Sequence, residues 1–263
     1  MVGEKISIIT ISYNSEKTIE RTLLSVLQQT YRPLEYVLVD GLSKDGTIKL
    51  IESYIPVFEK AGIEVVFKSE PDKGISDAFN KGITRATGTI IGITNSDDAI
   101  AENALAEIAA EFDLDIDVIC GNCEWNDSLN QITYVRKTKI NQISKLKYNM
   151  VLMHPTCYVR KVSYDKYGNF DISLKCVMDK DLMARFYKSG AKFKYLDRIL
   201  AIMSSGGVSD SDVTRVYKEG IIVAKRNGVN PIWAEIRWRI MFIRGLIVSK
   251  LKKNHRIWKY TRR

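Results

Sequence analysis

Apolar positions along the first half of the chain switch repeatedly between two periods. Ile6–Ser12 is a β-branched, apolar run of the kind that forms a buried strand. Beyond Asn14 and Ser15, Ile19, Leu23, Val26 and Leu27 recur at helical spacing. Residues 35–40 predict a second strand ending in Asp40-Gly41, and Asp45 opens a helix through Ile48, Leu50, Ile51 and Tyr54. A third strand follows at residues 64–68, then Glu70-Pro71-Asp72-Lys73-Gly74 and a helix carrying Ala78, Phe79, Ile83 and Ala86. Residues 89–94 form a fourth strand that runs into Asn95-Ser96-Asp97-Asp98, ahead of a helix at residues 102–112. Strands alternating with helices predict an α/β fold with a doubly wound, mostly parallel sheet and flanking helices. Ligands of such sheets bind at the carboxyl ends of the strands. Three strand ends here deliver polar side chains: Ser12 to Asn14, Asp40, and Asn95 to Asp98.

The second half is less regular. It predicts strands at residues 117–120, 131–137 and 153–159, and a short helix at 141–148. A helix at residues 180–189 is ended by Gly190, and a long helix falls within 208–228. A linker near Asn227–Pro231 divides the chain into a domain of residues 1–228 and a tail of residues 229–263.

Charge sharpens that division. The chain carries +9 overall, yet residues 231–263 hold ten Lys and Arg against Glu235, which is 10 − 1 = +9. Residues 1–230 hold thirty of each sign and are neutral. A neutral body with a cationic tail points to docking on something anionic. The longest charge-free run is residues 148–159, short of the ~20 apolar residues of a membrane span. The apolar run at the start is too short and too strand-like for a signal peptide, so a cytoplasmic location with reduced thiols is expected. Cys120-x-x-Cys123, with His154 and Cys157 downstream, resembles a zinc spacing, but in a strand positions i and i+3 face opposite sides.

Adjacent carboxylates at a strand end need a nearby positive charge, and a divalent metal with oxygen ligands meets that need. Asp97 is the candidate ligand of a metal that would bridge the two phosphates of a nucleotide-sugar. Asp98 reads either as a partner in that site or as the N-cap of the 102–112 helix. Asp40 reads as an acceptor for the imide of a base or as a turn aspartate before Gly41. Asp45 reads as an N-cap. Asp179 is a general base or an N-cap. His154 is a metal ligand, an acceptor contact, or a structural histidine in its strand.

Five segments, in order, resemble inverting glycosyltransferases of family 2 with a GT-A fold: residues 7–14 (SIITISYN), 39–47 (VDGLSKDGT), 70–82 (EPDKGISDAFNKG), 88–98 (GTIIGITNSDD) and 170–185 (FDISLKCVMDKDLMAR). The similarity spans roughly residues 5–200. It implies that Thr10, Ser12 and Asn14 meet the nucleotide and that Asp40 reads its base. Lys73 and Asp77 then lie near the nucleotide-sugar, and Asn95, Ser96 and Asp97 form the D-x-D region. Asp97 matches the metal-binding member and Asp179 the catalytic base. Two positions depart from the pattern: Asn95 stands at the first acid of D-x-D, and Met178 precedes the base where an acid is expected. The segment His154-Pro155-Thr156 recurs in relatives acting on bacterial surface polysaccharides.

The resemblance implies single-displacement transfer from a nucleoside-diphosphate-sugar, with UDP expected, to a hydroxyl of a glycan or polyprenyl-linked acceptor. Mn²⁺ or Mg²⁺ is the implied cofactor. Acceptor contacts are expected around Trp125 and His154. In the tail, Ile232, Ile236, Ile240, Ile243, Ile247 and Leu251 recur at spacings of four and three. Flanking Arg and Lys with Trp233, Trp238 and Trp258 suit the inner face of a membrane. The other reading is a helix packed on the body or on a second subunit. A sugar nucleotidyltransferase would want a Gly-rich phosphate loop after the first strand, where Ser12-Tyr13-Asn14-Ser15 stands. A nucleic-acid binder would not carry acids at three strand ends, so no nucleic-acid partner is expected.

Overall fold

The computed structural model describes residues 3–127, 132–204 and 212–252. Gln131, Val208, Trp258 and most of the terminal basic run lie outside the described residues. Strands β1 (Ile6–Ser12), β2 (Leu34–Asp40), β3 (Ile63–Ser69) and β4 (Ile90–Ile93) are parallel, in the order β3-β2-β1-β4. Further strands are β5 (Ala99–Ile100), β6 (Val118–Asp127), β7 (Ile132–Arg136), β8 (Tyr158–Arg160) and β9 (Phe193–Ser204). Antiparallel β8 joins β4 to β6, β9 runs parallel to β6, and β5 closes the edge. The hairpin strand β7 pairs with β6 off that path, so the described strands form one sheet.

Period-two alternation puts a core on each face. Ile6, Ile8, Leu34, Tyr36 and Leu38 pack under α1 (Ile19–Leu27), α2 (Thr47–Lys60) and α4 (Ala104–Glu111). Ile9, Val37 and Val39 belong to the other core, shared with α3 (Ile75–Arg85), α5 (Lys161–Tyr167) and α6 (Met178–Lys188). With both faces covered, β1 and β2 read as continuous apolar runs. Gly82 lets α3 close on the sheet: a Cβ there would lie 2.4 Å from Ile9 Cγ2.

Three local expectations change. Residues 153–159 are not one strand: His154–Thr156 is a 3₁₀ turn, and β8 begins only at Tyr158. Pro155 removes an amide that a ladder would use. Asp98 does not cap the following helix, because β5 intervenes and α4 starts after Asn103. Asp179 is not an N-cap either, since α6 starts at Met178 and Val177 is its cap residue. Strand β9 was not foreseen; its half-buried, mixed-polarity sequence is recruited by pairing with β6.

The chain ends in α7 (Val213–Arg226) and α8 (Pro231–Lys252). Trp238, expected at a membrane boundary, is buried instead. Its ring fits over Gly220 of α7, where a Cβ would lie 2.3 Å from it. Phe242 meets Tyr217 of α7 at 5.4 Å between ring centroids. The isoleucine stripe faces outward: Ile232, Ile236, Ile240, Ile243 and Ile247 are all exposed. Thus α8 is apolar on two faces, one docked and one open. Among the described residues no helix is long and apolar enough to cross a membrane.

Trp238 also covers Lys180, whose ammonium lies 4.6 Å from the indole centroid. Burial pulls the Lys180 pKa from 10.5 down to about 8. The folded state therefore sheds this proton before the unfolded state does. Stability from this site is depressed below pH 8 and rises as pH climbs from about 8 to 10.5. The gain is at most about 3 kcal/mol. Lys180→Met is expected to flatten that rise in urea-unfolding curves taken at pH 7.5 and 10; an unchanged pH slope would count against it.

Candidate active site

The strand order reverses between β1 and β4, which makes the crevice beyond their carboxyl ends the favoured ligand position. Two loops meet there. Ser15 Oγ, after β1, lies 2.9 Å from Ser96 Oγ, after β4. From α1, Thr22 Oγ1 donates to the carbonyls of Asp98 at 2.6 Å and Asn95 at 3.2 Å. The Asn95–Asp98 loop is thereby held against the first helix.

Asp40 is fully buried and knits three strand ends together. Its Oδ1 accepts from Ser12 Oγ at 3.0 Å and Ser43 Oγ at 2.5 Å. Its Oδ2 accepts from Ser43 N at 2.9 Å and Ser69 Oγ at 2.8 Å. A base would compete with hydroxyl donors for this carboxylate. Thr10 is buried and accepts from Tyr36 Oη at 3.0 Å, below the crevice floor. Asn14 takes a left-handed φ of 49° and its Oδ1 accepts from Lys44 N at 2.9 Å. Asp45 is not the N-cap of α2, since Gly46 holds that position, but its Oδ1 accepts from Thr47 N at 3.0 Å just before the helix. Tyr13, not singled out from the sequence, is 61% exposed at this edge and flanks Gly41 with Asp72. Such an open ring beside Asp40 is a surface on which a base can stack.

Asp97 and Asp98 differ in surroundings. Asp98 is buried and accepts from Asn95 Nδ2 at 2.9 Å. Burial first, and then the charge of Asp97, push its pKa up to about 7. Burial also raises Asp97, opposed by the guanidinium of Arg21. Arg21 reaches from α1 to Ser204 Oγ and the Ile202 carbonyl at the end of β9. Two desolvated carboxylates facing a single arginine make a site that favours a further cation. No group of three or more His, Cys, Asp or Glu among the described residues forms a ready metal cage. Asp97 is the carboxylate of this loop that would hold a cation, and the protein groups around it are too few to enclose one.

Residues 72–77 form a second wall. Gly74, with φ 110°, donates to Asp72 Oδ1 at 2.7 Å, and Lys73 N donates to Asp77 Oδ2 at 2.9 Å. The Lys73 amide, then the Lys81 ammonium 3.3 Å away, hold the Asp77 carboxyl below its usual range. Lys175 donates its ammonium to the Lys73 carbonyl, so the segment before α6 reaches this wall. That segment is also tied to α3, where Asn80 exchanges two hydrogen bonds with Phe170 and Ser76 Oγ donates to the Leu174 carbonyl.

Asp179 lies in the first turn of α6, where its Oδ1 accepts from Lys180 N at 2.7 Å. His154 packs against Phe79 and Phe170, at 6.3 and 5.9 Å between centroids, and those two rings lie 5.1 Å apart. Burial lowers its pKa, and the charge of nearby Asp179 opposes that shift. His154 is therefore grouped with Asp179, whereas the charged neighbours of Asp97 are Arg21 and Asp98. Trp125 stands opposite Tyr134 on the β6–β7 hairpin, and Arg136 covers it at 3.7 Å from the ring centroid. The asparagine and aspartate positions were legible from sequence. Arg21 and Ser69 were not, because only strand pairing and helix packing bring them in. Ser43 left one signal, the spacing of three from Asp40 that suits an Asx-type turn.

Comparison with known proteins agrees with this architecture. The family model described as Glycosyl transferase family 2 matches residues 7–168, more than half of the chain. A PGL/p-HBAD biosynthesis glycosyltransferase of Mycobacterium bovis is 24% identical over 94% of this chain and 98% of its own. The crystal structure of Staphylococcus aureus TarS 1–349 in complex with UDP-GlcNAc aligns with a TM-score of 0.64 at 23% identity, over 88% of this chain and 69% of that one. The mannosyltransferase PcManGT from Pyrobaculum calidifontis, in complex with GDP-Man and Mn²⁺, aligns with a TM-score of 0.69 at 16% identity, over 99% and 82%. These two share the fold. The matched family, together with the parallel sheet and its crevice, establishes that the chain belongs to glycosyl transferase family 2 and is a glycosyltransferase with a GT-A-like fold.

Proposed function

We propose that the protein transfers a sugar, with inversion, from a UDP-sugar to a hydroxyl of a glycan or lipid-linked acceptor during surface-polysaccharide synthesis. The observation that carries this reading is Asp97: a desolvated carboxylate beside Asp98, at the crevice between β1 and β4. The UDP-GlcNAc in the TarS complex supports the nucleotide, and the biosynthetic name of the mycobacterial relative supports a glycan or glycolipid product. The Mn²⁺ of the PcManGT complex supports a metal.

Ser12, Asn14 and Asp40 hold the nucleoside, with Thr10 beneath them, and Lys73, Asp77, Asn95 and Ser96 line the diphosphate and sugar. Asp97 would hold Mn²⁺ or Mg²⁺, which when bound would supply Lewis-acid stabilisation of the departing diphosphate. Asp179 takes the proton of the acceptor hydroxyl as that oxygen attacks the anomeric carbon opposite the leaving group. His154, packed against Phe79 and Phe170, and Trp125 border the acceptor side. A thermal-shift screen of UDP- and GDP-sugars with and without Mn²⁺ tests the reading. A metal-dependent rise in Tm with a UDP-sugar is expected; stabilisation by none of them would overturn it.

Residues 229–263 serve as a peripheral attachment to the cytoplasmic face of a membrane. Support comes from the outward isoleucine stripe of α8 with exposed Trp233, and from ten basic residues in the tail. Each basic residue near an anionic surface adds about 1 kcal/mol. Co-flotation with phosphatidylglycerol vesicles, reduced at least tenfold by Ile236→Asp with Ile240→Asp, is the expected result. A concentration-dependent dimer abolished by the same pair, without flotation, would assign the stripe to a second copy instead.

A further inference from the structure

Glu219 lies in α7, 44 residues along the chain from Lys175, and is only 7% exposed. Its carboxylate receives three consecutive backbone amides. Oε1 accepts from Lys175 N at 2.9 Å, and Oε2 accepts from Cys176 N at 2.8 Å and Val177 N at 3.2 Å. These amides lead directly into α6, whose own cap residue, Val177, offers no side-chain cap. No ion pair to Glu219 occurs among the described residues, so the three amides supply its compensation. A carboxylate at this end also suits the positive pole of α6.

The geometry has a consequence for Asp179, two residues beyond Val177 in the first turn of α6. The same short segment carries Lys175, whose ammonium meets the Lys73 carbonyl. It is fastened on one side to α3 through Ser76 and on the other to α7 through Glu219. Next to Glu219, Gly220 receives Trp238 of α8, which also covers Lys180. The two C-terminal helices thus grip the turn on which the proposed base sits. A general base must lie within hydrogen-bond reach of its proton, and a displacement near 1 Å costs about a hundredfold in rate.

We infer that Glu219 is a positioning residue for transfer: by gathering the amides of residues 175–177 it sets where the first turn of α6 holds Asp179. The inference rests on the reading of Asp179 as the base. Its chemistry is local and reversible in mutants. Glu219→Gln keeps the shape and one acceptor oxygen but turns the donor NH2 of its carboxamide toward at least one backbone amide. Glu219→Ala removes all three bonds.

The test measures kcat and donor KM by nucleoside diphosphate release, using the sugar donor found by the thermal-shift screen. UDP with Mn²⁺ serves as the probe of donor-site binding, and hydrogen exchange is followed at the amides of residues 175–177. Glu219→Gln is expected to lower kcat about tenfold and Glu219→Ala about a hundredfold. Donor KM and the UDP-induced Tm shift should stay within about twofold, and exchange at the three amides should quicken. A kcat within twofold of wild type in a folded Glu219→Gln protein overturns the inference. So does a fall in kcat matched by an equal loss of UDP binding, which marks general damage. If Glu219→Ala does not fold, the near-isosteric Gln variant decides alone. Asp179→Asn, run in parallel, separates the two readings. Normal turnover there removes the base itself, whereas an inactive Asp179→Asn beside a normal Glu219→Gln removes only the positioning role.

Discussion

Asp179→Asn is expected to lower kcat by about 10² to 10⁴, the usual contribution of a placed general base. Donor affinity should survive. The substitution is mild for the fold, because the one hydrogen bond described for this side chain is acceptance from Lys180 N, and an asparagine oxygen can accept the same bond without its charge assistance. What changes is the ability to take a proton. The measurement is kcat from steady-state release of nucleoside diphosphate, alongside the Tm shift given by UDP and Mn²⁺. Near-normal turnover would show that another group takes the proton.

The second large effect concerns the metal. In Asp97→Ala, Mn²⁺-dependent binding of UDP should weaken at least about a hundredfold, or roughly 2.7 kcal/mol. Asn95 carries no charge and Asp98 is buried against it, so neither replaces the half-buried Asp97 carboxylate. Chelation of metal in the wild type should reproduce the loss. The variant also removes the like charge beside Asp98, so the Asp98 carboxyl should titrate below its present value near 7. Calorimetric titration with UDP, with and without Mn²⁺, reads the effect. Equal affinity in wild type and variant under both conditions would remove Asp97 from the metal site.

Much of this arrangement is legible in the residue pattern. Period two in β1 and β2, helical spacing between them, and polar residues where each apolar run stops specify the sheet and its ligand edge. These are local properties: side-chain shape sets strand or helix, and the end of a run exposes whatever follows. Similar reasoning failed at residues 153–159, where apolar content suggested a strand but Pro155 breaks the ladder. It missed β9, since a strand of mixed polarity is stable only beside β6.

The tail shows the same limit differently. Spacing found the isoleucine stripe, and that stripe does face outward. Trp238, assigned to the same surface role, is buried on Gly220 because a second face of α8 docks on α7. A helix has several faces, and sequence spacing does not say which neighbour claims each.

The sequence by itself determined the α/β class, and it singled out one edge of the sheet and the carboxylates Asp40, Asp97 and Asp179 as the candidate chemistry. Only the tertiary structure decided their partners: three serine hydroxyls on Asp40, Arg21 beside Asp97, His154 grouped with Asp179, and Glu219 beneath the turn that carries it. The physical reason is range. Backbone preference and hydrophobic period act over a few residues, whereas hydrogen bonds and desolvation act between groups that only the packed chain brings within about 3 Å.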